Sequence, residues 1–198
     1  RTRQKKSAMK GIIFNLLETV VSRHHGEAAW EKFLDQAGVA GAYTSLGSYP
    51  DGELQRLVER AADALGISPN ECLRWFGRAA MPLLAERYPA FFAGHTTILP
   101  FLISVNDIIH PEVRKIHPGA HCPVFRFEQA ADGALRMGYE SPRRLCMLAE
   151  GFIEGAADHF GETVAVEHLR CATKGDRECL LSVRVRVPET VDAAPLAG

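Results

Sequence analysis

The chain has 198 residues, 46% of them hydrophobic and 24% charged, with 23 basic against 24 acidic side chains. That length suits one domain with a sizeable buried core. A net charge of −1 builds no field favouring nucleic acid or an anionic surface, and no apolar run approaches the roughly 18 residues that cross a bilayer.

Residues 1–8 are basic without the apolar stretch of a secretory signal, and are read as a flexible tail. From Met9 to about Pro89 the pattern is helical. Ile12, Ile13, Leu16, Leu17, Val20 and Val21 form an apolar stripe in a helix starting at Met9. A second helix is expected over Glu27–Ala37, stopped near Gly38, followed by a loop over Val39–Tyr49 rich in Gly, Ser and Tyr. Pro50-Asp51-Gly52 opens a third helix to Leu65, stopped by Gly66, and Ser68 with Glu71 forms a capping box for a fourth through Phe76. A long helical signal from Phe91 to Ile116 is interrupted by Pro100 and Pro111.

After Pro118 the character changes. Val124–Glu128 and Ala134–Tyr139 read as strands joined at Asp132-Gly133, and a helix follows from about Arg143 to Phe160. Val164–Leu169 and Cys179–Val187 make a second pair of strands. Helices first, then two hairpins with a helix between them, is an α+β pattern. Residues 188–198, rich in Pro and Ala, are read as a second tail. Five cysteines and no export signal point to a reducing cytoplasm, where clustered thiols bind metal more often than they form disulfides.

His110 shares a helix face with Leu102, Ile103, Asn106 and Val113. Alone it reads more readily as a hydrogen-bonded core histidine than as a metal ligand. Tyr139, Ser141 and Arg143 alternate, so an extended backbone would point a phenol, a hydroxyl and a guanidinium the same way. Such a trio suits carboxylates, with Arg as the bidentate partner; the bland alternative is a strand end with a solvated Arg. Cys146, His168, Cys171 and Cys179 form a further group, His168 and Cys171 at knuckle spacing and Cys171 and Cys179 flanking a turn. Three thiolates and one imidazole make a closed structural zinc set. Buried free thiols, or a Cys171–Cys179 disulfide, are the alternatives.

Taken in order, the opening Met9–Asn15, the segment Phe101–Val113 and the run Tyr139–Arg143 resemble the haem–nitric oxide/oxygen-binding (H-NOX) family. The resemblance covers about nine-tenths of the chain. It implies one domain over residues 9–187, with a helical distal lobe (about 9–65) and a proximal lobe (about 66–187) carrying a four-stranded antiparallel sheet, and haem b between them. It implies that His110 is the iron ligand and that Tyr139, Ser141 and Arg143 clamp the propionates. Pro111, directly after the ligand, departs from helical geometry and predicts a kink at His110. Oxygen-binding members carry a distal tyrosine, and that position here falls at Leu148. Ile13, Leu17 and Ala80 are the other distal positions, all without donors. An apolar pocket implies selectivity for nitric oxide, with carbon monoxide a further ligand.

The resemblance also covers a bacterial subset with a Cys3His zinc site at Cys146, His168, Cys171 and Cys179. It implies that nitric oxide weakens or breaks the bond to His110 and releases its helix. The expected output is a separate sensor histidine kinase or cyclic-di-GMP enzyme (a diguanylate cyclase or phosphodiesterase), with no nucleic acid, no membrane insertion and no catalysis by this chain. A haem-independent redox sensor built on zinc thiolates is the rival. Cys72, Cys122, His24, His25, His95, His117, His121 and His159 are given no role, the histidines being read as surface or loop residues.

Overall fold

The computed structural model describes residues 8–186. The expected tails therefore fall largely outside the described residues, as does Val187. Ala8 is described, and it is not tail: strand β1 (Ala8–Lys10) pairs antiparallel with β2 (Ser48–Pro50), Met9 facing Tyr49. This ribbon corrects two expectations, a helix starting at Met9 and a loop running through Tyr49. Its cause is long-range pairing, which local pattern does not encode. Helix α1 (Gly11–His25) starts directly after β1, and its face of Ile12, Leu16, Leu17, Val20 and Val21 is buried as the stripe requires. Helices α2 (Glu27–Ala37) and α3 (Asp51–Leu65) end at Gly38 and Gly66, both left-handed caps.

Helix α4 (Pro69–Arg87) opens on the expected Ser68–Glu71 capping box but runs eleven residues past Phe76, through Pro82. The segment Phe91–Ile116 is not one helix. It divides into α5 (Ile98–Ser104), a π-helical turn (Val105–Ile109) and α6 (His110–Ile116). The kink expected at His110 is absent, since its φ of −64° and ψ of −37° are ordinary helical values. Pro111 sits in the first turn of α6, where a missing N–H is tolerated. The irregularity lies one turn earlier, and a π turn re-phases the faces on either side of it. Ile103, expected beside His110, is accordingly 47% exposed.

Strands β3 (Val124–Gln129) and β4 (Leu135–Glu140) form the first hairpin, turning at Gly133 with a φ of 80°. Helix α7 (Cys146–His159) follows, then β5 (Thr163–Arg170) and β6 (Cys179–Arg186). The sheet order is β3-β4-β6-β5, antiparallel throughout, with Tyr139 of β4 facing Cys179 of β6. No helix among the described residues is long and apolar enough to cross a membrane.

Two apolar cores result. One is centred on Phe14, Leu57 and Phe76, the other on Met137, Ile153 and Leu181. Helix α4 serves both, with Cys72 to Ala80 in the first and Met81 in the second, and α7 does likewise through Leu148 and Ile153. The first core thus takes in α4 residues well past position 65. The two shared helices approach closely because glycines line their contact. A Cβ on Gly151 would lie 2.0 Å from the Arg74 carbonyl oxygen, and one on Gly155 2.6 Å from that of Arg78.

Candidate functional site

Between the two cores lies a cavity of about 300 Å³ with overwhelmingly apolar walls. Ile12, Ile13 and Leu16 reach it from α1, Leu84 from α4, and Leu148 and Phe152 from α7. Leu17 and Ala80, expected as distal wall residues, do not line it. Both are at most 1% exposed and pack inside the first core, one layer behind the wall. Of the expected distal positions, Ile13 and Leu148 face the cavity, and neither has a hydrogen-bond donor.

His110 lines the cavity from the start of α6, where it stacks on Phe125 with ring centroids 5.7 Å apart. Its neighbours Ile109 and Phe125 pack on the second core whereas Leu148 belongs to the first, so His110 and Leu148 meet the cavity from different cores. Burial, reinforced by Arg114 and opposed by the Pro123 carbonyl, lowers its pKa to about 4, and its buried Nδ1 has no hydrogen-bond partner. At neutral pH the imidazole is therefore uncharged, the form that binds metal. Because the unfolded chain protonates this histidine below about pH 6.5 while the folded chain resists until about pH 4, the stabilising difference is present above 6.5. We expect the haem-free protein to lose stability as pH falls between those values, on the order of 2 kcal/mol after discounting for solvent in the cavity. Urea titrations at pH 7 and pH 4.5, with His110→Phe as the insensitive control, check this.

Tyr139, Ser141 and Arg143 converge on the same cavity, although not through an extended backbone. Strand β4 ends at Glu140, and Ser141 Oγ accepts the Arg143 amide at 3.3 Å in a side-chain-closed turn. The Tyr139 hydroxyl accepts the Leu145 amide at 3.1 Å. Arg143 Nε donates to both oxygens of Asp51 at 3.0 Å, Nη1 to the His121 carbonyl at 2.8 Å and Nη2 to the Ala8 carbonyl at 2.5 Å. Three of its five N–H donors are thus committed, and one on each terminal nitrogen remains for a ligand carboxylate.

Asp51, the partner of Arg143, carried no signal in the sequence, and two residues of the cavity wall were likewise unassigned. His117, read as a surface or loop histidine, is 3% exposed and bonds Tyr88 Oη through Nε2 at 3.0 Å. It follows the last residue of α6, seven positions after His110, and lines the same cavity, a spacing visible in the sequence. Lys10 is buried with its ammonium donating to the Leu46 carbonyl (2.7 Å), Ser48 Oγ (3.0 Å) and the Pro118 carbonyl (3.0 Å). An orphaned, uncharged imidazole in the wall of an apolar cavity, with a guanidinium and two hydroxyls at its margin, fits a haem: an axial nitrogen, hydrophobic faces and donors for propionates.

The sheet and α7 build a second centre. The sulfurs of Cys146, Cys171 and Cys179 lie within 4.8 Å of one another and all three residues are buried. Cys146 and Cys171 are 3.6 Å apart, and the Ala172 amide donates to Cys179 Sγ at 3.3 Å. Burial pushes the Cys146 thiol up, and its thiol neighbours add to that. At Cys171 burial acts the same way, but hydrogen bonding by Thr173, with the neighbouring His168 and Cys146 side chains adding to it, outweighs it and lowers the pKa. His168 stands beside this trio, outside the 4.8 Å group, with Nε2 on Glu150 at 2.8 Å. The Glu150 hydrogen bond raises the pKa of His168 against the opposing effect of burial. Three clustered thiols with an amide aimed at one sulfur fit a thiophilic metal such as zinc. Cys72 and Cys122 stand apart from this group.

With this geometry in view, comparison with known proteins defines the class. A family model described as "Haem-NO-binding" (HNOB) matches residues 10–168. The chain belongs to this family of haem-binding gas-sensor domains. Among solved structures, an H-NOX protein from S. oneidensis in the Fe(II)NO ligation state is 30% identical, with a TM-score of 0.85, covering 90% of this chain and 100% of that one. The H-NOX domain from Shewanella oneidensis in the Fe(II)CO ligation state is also 30% identical (TM-score 0.81; 90% of this chain, 99% of that one). An unliganded Fe(II) H-NOX protein from K. algicida is 26% identical with a TM-score of 0.78, covering 90% and 97%. No curated protein sequence matches the chain.

Proposed function

We propose that the protein is a haem-based nitric oxide sensor that does not bind oxygen stably, with His110 as the iron ligand and Tyr139, Ser141 and Arg143 as the propionate clamp. The observation that carries this reading is that Ile13 and Leu148, both without a hydrogen-bond donor, line the same apolar cavity as an uncharged His110. When bound, haem supplies a ferrous iron with one position open to a diatomic gas. The residues of this chain do the rest. His110 would supply the nitrogen that holds the iron, the apolar walls exclude water, and Arg143, itself anchored to Asp51 and to Ala8 of β1, would meet a propionate. Of the other polar side chains in the wall, Tyr88 bonds His117, and Lys10 bonds two carbonyls and a serine. Dioxygen gains much from a hydrogen-bond donor and nitric oxide gains little, so a wall of Ile13 and Leu148 favours nitric oxide; carbon monoxide would bind too.

The transmitting element is the segment in which a π turn feeds directly into the helix headed by His110. Tension or release at His110 acts on an already irregular backbone, which lowers the cost of a second arrangement. Family resemblance supports a sensor histidine kinase or a cyclic-di-GMP enzyme as the receiving partner, with this chain itself non-catalytic and cytoplasmic. Zinc at Cys146, His168, Cys171 and Cys179 is proposed as a second, structural cofactor.

The selectivity test is Leu148→Tyr. A phenol there is expected to strengthen dioxygen binding roughly tenfold, the worth of one added hydrogen bond, and to leave nitric oxide binding nearly unchanged. Gas titrations followed by absorbance measure both. A wild-type protein already holding dioxygen stably in air would sink the reading. The 3.6 Å approach of Cys146 and Cys171 favours a second reading, thiol redox sensing independent of haem. In that case Cys171→Ser alters control of the partner while His110→Gly does not.

A further inference from the structure

The zinc site proposed above has an unassigned feature in the buried carboxylate beside it. Glu150 is 5% exposed and sits one turn along α7 from Cys146. One of its oxygens meets His168 Nε2 at 2.8 Å, and the other lies 3.1 Å from Arg74 Nε on α4. Arg74 is held in turn by Glu154, whose carboxylate accepts its Nε at 3.0 Å. On the opposite edge of the imidazole, Nδ1 is buried and has no hydrogen-bond partner. Within β5 and the turn after it, a bulge between His168 and Arg170 re-aims the chain just before Cys171, placing the ring next to the thiols.

We infer that Glu150 is a positioning residue for the metal centre: it holds His168 in the tautomer that presents Nδ1, not Nε2, as the fourth ligand to the ion bound by Cys146, Cys171 and Cys179. This inference rests on the zinc reading. A carboxylate can only accept, so the nitrogen facing it carries the proton and the other keeps its lone pair. Fixing a ligating imidazole through its second nitrogen in this way orients the ring and increases its basicity. Arg74 fixes the carboxylate, so the ligand orientation is tied to the close contact of α4 and α7. His168 stands just outside the sulfur group and next to Cys171, the nearest position from which a fourth ligand could come.

Glu150→Gln separates this role from simple packing. Glutamine has the same shape but a single acceptor oxygen, which Arg74 draws to itself. Its NH₂ then faces His168 Nε2 and forces the proton to Nδ1, the tautomer that cannot ligate through that atom. The test loads the full chain with Zn²⁺, measures affinity by chelator competition, and reads His168 by ¹⁵N NMR. The wild-type protein is expected to bind one zinc with Nδ1 metal-bound and Nε2 protonated. Glu150→Gln is expected to weaken zinc binding by about 10–100-fold, the usual size of an outer-shell loss. Glu154→Gln, which also touches Arg74 but not His168, is expected to leave affinity unchanged. Ligation through Nε2, or an unchanged affinity in Glu150→Gln with zinc still bound by three sulfurs and one nitrogen, overturns the positioning role and spares the zinc reading. A wild-type chain that takes up no zinc overturns both. The NMR measurement on wild type decides the tautomer even if Glu150→Gln fails to fold.

Discussion

Replacing His110 with glycine is expected to lower the haem retained per purified chain at least about tenfold, and millimolar imidazole in the buffer to restore it. The cavity is predominantly apolar. Its walls hold a flat apolar ligand by contact, and Arg143 with the two hydroxyls holds the carboxylates, but these contacts set neither the iron coordination nor its electronics. Among the described residues the cavity wall holds two buried nitrogens without a hydrogen-bond partner, Nδ1 of His110 and Nδ1 of His117, and His117 is tied through Nε2 to Tyr88, which leaves His110 as the imidazole that no side chain holds. Removing an axial ligand should cost at least as much as removing an outer-shell partner, which is commonly worth 10–100-fold. Glycine leaves a gap of imidazole size beside Phe125, which free imidazole can fill. Haem content by pyridine haemochrome, with and without imidazole, is the measurement; full retention in the variant would place the ligand elsewhere.

Gly151→Ala carries the largest expected effect on stability. The new Cβ would sit 2.0 Å from the Arg74 carbonyl oxygen, with the Arg74 carbonyl carbon at 2.9 Å. Both obstructing atoms are backbone in the middle of α4, so no side-chain rotation relieves the clash. The helices must separate, and overpacking of this kind costs about 3 kcal/mol. For a chain of this size that lowers the melting temperature by roughly 6–12 °C. Because α7 carries Leu148 into the cavity and Cys146 into the thiol cluster, the same substitution should disturb both centres. Gly52→Ala is the control: its Cβ would meet nothing nearer than an Arg56 Nη1 at 3.7 Å, and it should be neutral within about 0.5 kcal/mol. Calorimetric scans of the three proteins compare them directly.

Several features were legible in the sequence because they are written locally. The stripe from Ile12 to Val21, the stop at Gly66, the Ser68–Glu71 box and the Gly133 turn each depend on residues within one or two turns of one another. The cysteine group was legible for a related reason, since a hairpin base and the start of the preceding helix are topologically adjacent once two strands pair. What escaped was non-local. Pairing of Met9 with Tyr49, the Arg143–Asp51 ion pair and the burial of His117 against Tyr88 join segments 29 to 92 residues apart. The distal wall illustrates the same limit on a finer scale. The family resemblance placed Leu17 and Ala80 among the distal positions, but a buried position is not the same as one facing the cavity, and a one-residue change along α1 separates Leu16 in the wall from Leu17 behind it. The π turn at Val105–Ile109 left no compositional mark; only Pro111 hinted at irregularity, and it pointed to the wrong turn.

The most direct test of the sensor reading is the absorption spectrum of the reduced, haem-loaded protein, recorded anaerobically, then with nitric oxide, and separately in air. A nitric oxide sensor of this kind is expected to show a Soret band that moves on adding nitric oxide and no stable dioxygen complex in air. A protein that takes up no haem while binding one zinc, or one that holds dioxygen stably despite Leu148, would contradict it.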